Sequence, residues 1–243
     1  MKNRMKRPVA ILALVALAAC SPQQPQSSAD TPAPAAALAA ITPAKVDVPA
    51  GAYTLDKAHS TLIFHVNHLG FSNYTARFTT FDAQLQFDPA NPAASTLAVT
   101  IDPRSLDLNN PPPGFADTLR GPEWLDAAKF PQMTFRSTTV EVTAPNAMRI
   151  NGDLTLHGVT HPVTLDATFN GGYAGHPMDP HARIGFSAHG SFKRSDFAVA
   201  AGIPEPGTTM GVSDAVQVVI ETEFSGPAWA AAASTPGADA HGA

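Results

Sequence analysis

A single cysteine, Cys20, in 243 residues excludes an intramolecular disulfide framework, so the fold must stand on its own apolar core. Charge is sparse as well. Only 14% of residues are Asp, Glu, Lys or Arg, and acids outnumber bases by 20 to 15. A surface of that sign repels nucleic acid and anionic headgroups, and no basic patch or glycine-rich phosphate loop interrupts it. The apolar run Val9 to Ala19 has eleven residues, short of the ~20 a helix needs to cross a bilayer. Nucleophilic catalysis has little to work with. There is no GxSxG elbow, and Ser105 and Asp107 in PRSLD are sequence neighbours, not a triad. On this reading the protein is not an enzyme.

The N-terminus carries an export signal. Lys2, Arg4, Lys6 and Arg7 precede the apolar run, which ends in Leu17-Ala18-Ala19-Cys20. A basic start, a short apolar stretch and small residues describe a signal peptide over residues 1–19. The ending resembles the bacterial lipobox, which makes Cys20 the expected site of lipid attachment. A periplasmic lipoprotein is expected, held to a membrane through that lipid, and Ser21 favours the outer membrane. Loss of residues 1–19 removes four bases and no acid, leaving a formal net charge of −9. Residues 20–50 are rich in Pro, Ala, Ser and Gln and read as a lipidated N-terminus and disordered tether. Residues 226–243 read as a disordered tail, in which Trp229 is unexplained. Between them lies one domain, 51–225.

Within the domain the apolar period is two. VQVVIETEF places Val216, Val218, Ile220 and Phe224 on one face, and HPVTLDATF does the same with Val163, Leu165, Ala167 and Phe169. STLIFHVNH, FDAQLQF, TLAVTID and RIGFSAHGSF repeat the pattern. Such alternation marks antiparallel strands with one apolar and one wet face. About eight of them, separated by turn signals, predict an all-β sandwich or barrel. A short helical segment is expected near 114–129, where Leu119, Trp124 and Leu125 would cover one end of the sheet. The parity slip between Phe78 and Phe81 suggests a bulge.

Histidines invite a metal reading, but the spacing argues against it. His65 and His68 would share a helix face, whereas on a strand they point to opposite faces. His157 and His161 flank Gly158-Val159-Thr160, a hairpin corner, and a stable site would need a third ligand. No metal site is expected. Arg194 and Asp196 in KRSDF look like a surface or closing ion pair, the alternative being an arginine that meets a polar headgroup. Asp102, Asp107, Asp117 and Arg120 are expected to tie loops at a barrel mouth.

Several segments in order then decide between sandwich and barrel. HSTLIFHVNHLG (59–70), LQFDP (85–89), VTIDPRSLD (99–107), ADTLRGPEWLDAAKFPQMTFRST (116–138), GDLTLHGVTHPVTL (152–165) and KRSDF (193–197) together resemble the YceI-like family, across essentially all of 53–224. The resemblance implies a lipocalin-like antiparallel β-barrel with an elongated apolar cavity for the isoprenoid tail of a quinone-like lipid, used in transport, storage or sequestration. No cofactor is implied beyond such a bound polyprenyl quinone or similar isoprenoid. The expected lining is Phe64, Val66, Leu85, Phe87, Val99, Phe135, Leu154, Phe169, Phe186, Phe192, Val218 and Ile220. The expected partners are an isoprenoid lipid and the membrane, with no nucleic acid; the oligomeric state is open, a homodimer being one option. Two alternatives stand beside this: a solid barrel acting as an envelope interaction or stress-protection module, and a histidine-based metal or haem binder.

Overall fold

The computed structural model describes residues 47–229. The expected signal peptide, Cys20, nearly all of the tether and residues 230–243 lie outside the described residues. Ten strands lie among the described residues: β1 (Gly51–His68), β2 (Ser72–Phe78), β3 (Phe81–Phe87), β4 (Thr96–Ile101), β5 (Leu106–Leu108), β6 (Met133–Ala144), β7 (Ala147–Leu156), β8 (Val159–Tyr173), β9 (His181–Lys193) and β10 (Val212–Ala228). The one α-helix among the described residues, α1 (Phe115–Arg120), occupies six residues of the expected helical segment. Gly121 and Pro122 end it, and hydrogen-bonded turns carry the chain on to Phe130.

Eight strands close a ring in the order β1-β3-β4-β6-β7-β8-β9-β10, with β10 returning to β1. Every pairing is antiparallel. Closure leaves the ring without free edges. β1 has two neighbours on its second side: Gly51–Thr54 pairs with β3, whereas Leu62–His68 pairs with β2, which β5 extends. The register of β1 against β10 shifts between Asp56 and Thr61. The parity slip at Phe78/Phe81 is therefore not a bulge but a strand end, where the chain leaves the β2 wall and enters β3. Loss of phase looks the same in sequence whether a strand bulges or stops.

The two ends of the barrel differ. At one end Val48, Tyr53, Leu55, Ala182, Ile184 and Phe224 pack solidly, and Tyr53 is fully buried. Its hydroxyl donates to the Pro49 carbonyl (2.7 Å), and burial pushes the phenol up to about 12. The barrel also takes in residues on both sides of 51–225. Val48 joins this core, β10 continues to Ala228, and the Trp229 amide donates to the Pro180 carbonyl at 2.7 Å. At the opposite end lie the β1–β2 and β7–β8 turns, the β9–β10 connection, and the segment from β5 through α1 to β6.

Candidate ligand cavity

From Leu62 on, the even-numbered residues of β1 point into the barrel, as do Val216 to Phe224 of β10, yet Phe64, Val66, Val218 and Ile220 are only half-buried. Enclosed apolar side chains that keep accessible surface border empty space; in a filled interior they would be buried. That space is a cavity of about 590 Å³, within the range of small-molecule sites. Phe87, Phe186 and Phe224 belong both to its lining and to the packed core, so they form its floor. Phe87 and Phe186 meet edge-to-face at 5.8 Å. Exposed lining residues gather at the other end, where His68, Asn109, Asn110, Pro112 and Phe115 mark the mouth.

Eleven of the twelve residues expected to line the interior do so. The exception is Phe169, which stacks behind the floor at 5.8 Å from Phe87 and 5.4 Å from Phe186. It has the right parity but lies beyond the floor, next to a register shift at Phe169/Gly171. Alternation also marked Leu62, Ile101, Leu165 and Val216, which join the lining. The mouth was not singled out. Asn109, Asn110, Pro111, Pro112, Phe115 and Val199 sit in turns and short elements with no period to read, the run NNPPPGF being the only signal, whereas Tyr74 belongs to the alternation Tyr74, Ala76, Phe78 of β2.

Arg194 departs most from expectation. It is buried, 5% exposed, and is not paired with Asp196. Its guanidinium donates to four backbone carbonyls: Ser213 (3.0 Å), Val199 (3.0 Å), Ala201 (2.7 Å) and Val212 (2.8 Å). It also lies 5.2 Å from the centre of the Trp124 ring. Burial lowers its pKa, but an arginine stays charged. It thereby clasps the β9–β10 connection to the mouth. The expected loop ties are present: Arg104 reaches Asp102 at 2.8 Å, Arg77 reaches Asp107 at 2.6 Å and Arg120 reaches Asp117 at 3.1 Å. Arg120 also donates to the Leu106 carbonyl at 2.7 Å, tying α1 to β5.

The histidines do not converge. His65 points outward to Thr75 Oγ1 (2.9 Å) while His68 faces the mouth. His157 and Gly158 form a two-residue turn with φ of 53° and 76°, as a type I′ hairpin requires. This is shorter than the loop expected, since His161 already lies on β8. His157 packs on Phe130 and His161 on Phe197. A polar cluster that the sequence did not suggest lies on the outer wall near the floor. There Arg183 binds both Asp56 and Asp179, the latter at 2.9 Å, and His59 Nδ1 lies 3.0 Å from Asp56. The hydrogen bonds from His59 and Arg183 pull the Asp56 carboxyl down to about 2, and Asp56 in turn raises His59.

The YceI-like domain family matches residues 53–224. The chain belongs to that family. Among YceI-like relatives, a UPF0312 protein of Vibrio cholerae is 35% identical over 191 residues, 78% of this chain and 95% of its own. Protein YceI of Salmonella arizonae is 38% identical over 179 residues, 72% of this chain and 86% of its own. Two crystal structures share the fold. BcnA of Burkholderia cenocepacia has a TM-score of 0.60 at 30% identity, covering 70% of this chain and 98% of its own. The Campylobacter jejuni YceI protein has a TM-score of 0.55 at 32% identity, covering 66% and 90%. The family match thus covers residues 53–224, slightly less than the barrel itself, whose strands run from Gly51 to Ala228.

Proposed function

We propose that this YceI-like barrel binds an amphiphile with an isoprenoid tail, a quinone-like lipid, and carries, stores or sequesters it without catalysis. The observation that carries this reading is the cavity: a tube with a phenylalanine floor and aliphatic and aromatic walls, polar only at Ser95, Thr96 and Thr222 along its depth and at the side chains of its mouth. Such a tube takes a hydrocarbon tail inward and leaves a headgroup beside His68, Tyr74, Asn109 and Asn110. Burial of each CH₂ contributes ~0.8 kcal/mol, so a ten-carbon stretch of tail gains about 8 kcal/mol over water, less the cost of ordering it. The floor offers no charge to a ligand.

The reading includes export and lipidation at Cys20, with the barrel in the periplasm on a membrane tether. The 26 residues between Cys20 and Asp47 have a contour of at most about 90 Å. β1 begins at the floor end, so the chain enters the barrel at the pole opposite the mouth, and a tether of that contour is long enough for the mouth to face the membrane. The test is native mass spectrometry of the purified chain, with an organic extract of the same sample analysed in parallel. The expected result is an adduct that extracts as a polyprenyl quinone or a related isoprenoid. A protein without adduct that also ignores added ubiquinone would overturn the reading.

A further inference from the structure

Three chain segments form one side of the mouth, and they are unusual for this protein in two ways. The first is residues 67–73, the β1–β2 turn with the strand ends beside it; the second is residues 109–116, leading into and opening α1; the third is residues 198–213, the β9–β10 connection with the start of β10. They form one continuous rim. The Leu69 amide donates to the Gly211 carbonyl at 2.9 Å, the Tyr74 hydroxyl to the Asn109 carbonyl at 3.3 Å, and Trp124, which follows α1, packs against Gly202. The rim presents large apolar side chains to solvent: Phe71 is 83% exposed, Met210 73% and Phe115 43%. Phe115 also lines the cavity, so the exposed apolar surface is continuous with the interior. The second feature is charge. The three segments contain no Lys or Arg and a single acid, Glu205, and the flanking Arg77 and Arg120 are paired with Asp107 and Asp117.

We infer that this rim is a docking surface for a neutral phospholipid bilayer, seating the mouth on the membrane so that a lipid tail passes between bilayer and cavity. The inference deepens the proposed binding function and rests on it for the identity of the cargo. Passage of a ten-carbon stretch through water would slow transfer by a factor on the order of 10⁶. A mouth sealed against hydrocarbon removes that barrier, because tail and cavity wall are alike. The three segments offer zwitterionic headgroups a nearly uncharged face, and the cations beside it are engaged, Arg120 with Asp117, Arg194 with backbone carbonyls and Lys129 over the Phe130 ring, so the rim has no basic cluster with which to bind an anionic surface. Phe71 and Met210, on adjoining loops, are the side chains placed to enter the interface.

The full chain, reconstituted with phosphatidylcholine vesicles, provides the test. An environment-sensitive fluorophore is attached through Phe71→Cys or, as a control, through Met178→Cys. Met178 is 92% exposed on the β8–β9 connection, at the floor end. The unsubstituted chain sets the background from Cys20. Brominated phosphatidylcholine is expected to quench the probe at position 71 and not the one at 178, equally at 50 and 500 mM salt. In the chain carrying both Phe71→Asp and Met210→Asp, transfer of a fluorescent polyprenyl lipid to vesicles is expected to fall tenfold or more, with the same amount of lipid held in the cavity. Equal quenching at both positions would overturn the inference, as would quenching that needs anionic lipid and disappears in salt. Quenching at 71 that appears only with an added envelope protein would also overturn it, assigning the rim to a protein partner. Failure of the unsubstituted chain to hold any lipid, with quenching at 71 intact, would remove the cargo and leave the docking surface standing.

Discussion

Replacement of Arg194 by methionine tests how the mouth is held. The substitution keeps an unbranched apolar stem near Trp124 and removes the donors to the carbonyls of Val199, Ala201, Val212 and Ser213. Hydrogen bonds from a charged donor each contribute ~1.5–3 kcal/mol, so the four amount to about 6–12 kcal/mol if nothing relaxes. These carbonyls belong to a connection that lies partly at the surface, where water can replace some of the lost bonds. The net loss is then about 3–5 kcal/mol, a large share of the ~5–15 kcal/mol by which a domain is stable. Arg194→Lys should recover only part of it, because a point charge cannot serve four acceptors as a planar fork does. Asp196→Ala should change stability by no more than about 0.5 kcal/mol, since Asp196 is exposed and makes no hydrogen bond to Arg194. Urea denaturation at constant m-value measures all three. An Arg194→Met loss below about 1 kcal/mol, or an equal loss from Asp196→Ala, would refute the clasp and restore the ion pair suggested by KRSDF.

Other expectations concern the wall and the outer cluster. At Gly152 an added Cβ would meet the Phe135 ring and lie 2.6 Å from the Arg136 carbonyl oxygen. The ring can give way into the cavity but the backbone cannot, so Gly152→Ala should cost about 1–3 kcal/mol, read from the denaturation midpoint. Asp56 is held at about 2 against an ordinary 3.8, so its contribution is complete above about pH 4 and lost as pH falls towards 2. The Tm difference between the unsubstituted chain and Asp56→Asn should therefore close over that interval, and a gap that stays constant would contradict the assignment. His59 runs the other way. Raised above 6.5, its contribution is present below that value and disappears as pH rises through the folded one. Tyr53, at about 12, should remain un-ionised in an absorbance titration taken through pH 11, unless the floor opens.

Much of the fold was legible because a closed barrel obeys a single rule, apolar in and polar out. The second half of β1, β8 up to Phe169, β9 and β10 up to Phe224 each read as an alternation, and their inward residues line the cavity or its floor. What escaped was whatever that rule does not govern. Parity tells which way Phe169 points, but not that it falls beyond the floor. β2 and β5 extend β1 sideways because β1 changes neighbour partway along, a fact of pairing that no single strand's sequence carries. The acceptors of Arg194 are backbone carbonyls, which have no residue identity to recognise, whereas Asp196 two positions away offered an obvious and wrong partner. The rim lacked any period, so its apolar side chains stood out only once the mouth was located.

The central claim, that the hollow interior holds a lipid tail, is tested most directly by filling it. Ala188 and Val218 both line the cavity, and phenylalanine at both positions occupies space that is empty rather than packed. In Ala188→Phe/Val218→Phe the account predicts an unchanged or raised Tm together with loss of the extractable isoprenoid carried by the unsubstituted protein. A filled barrel that still carries the same lipid in the same amount would contradict it and place the ligand elsewhere.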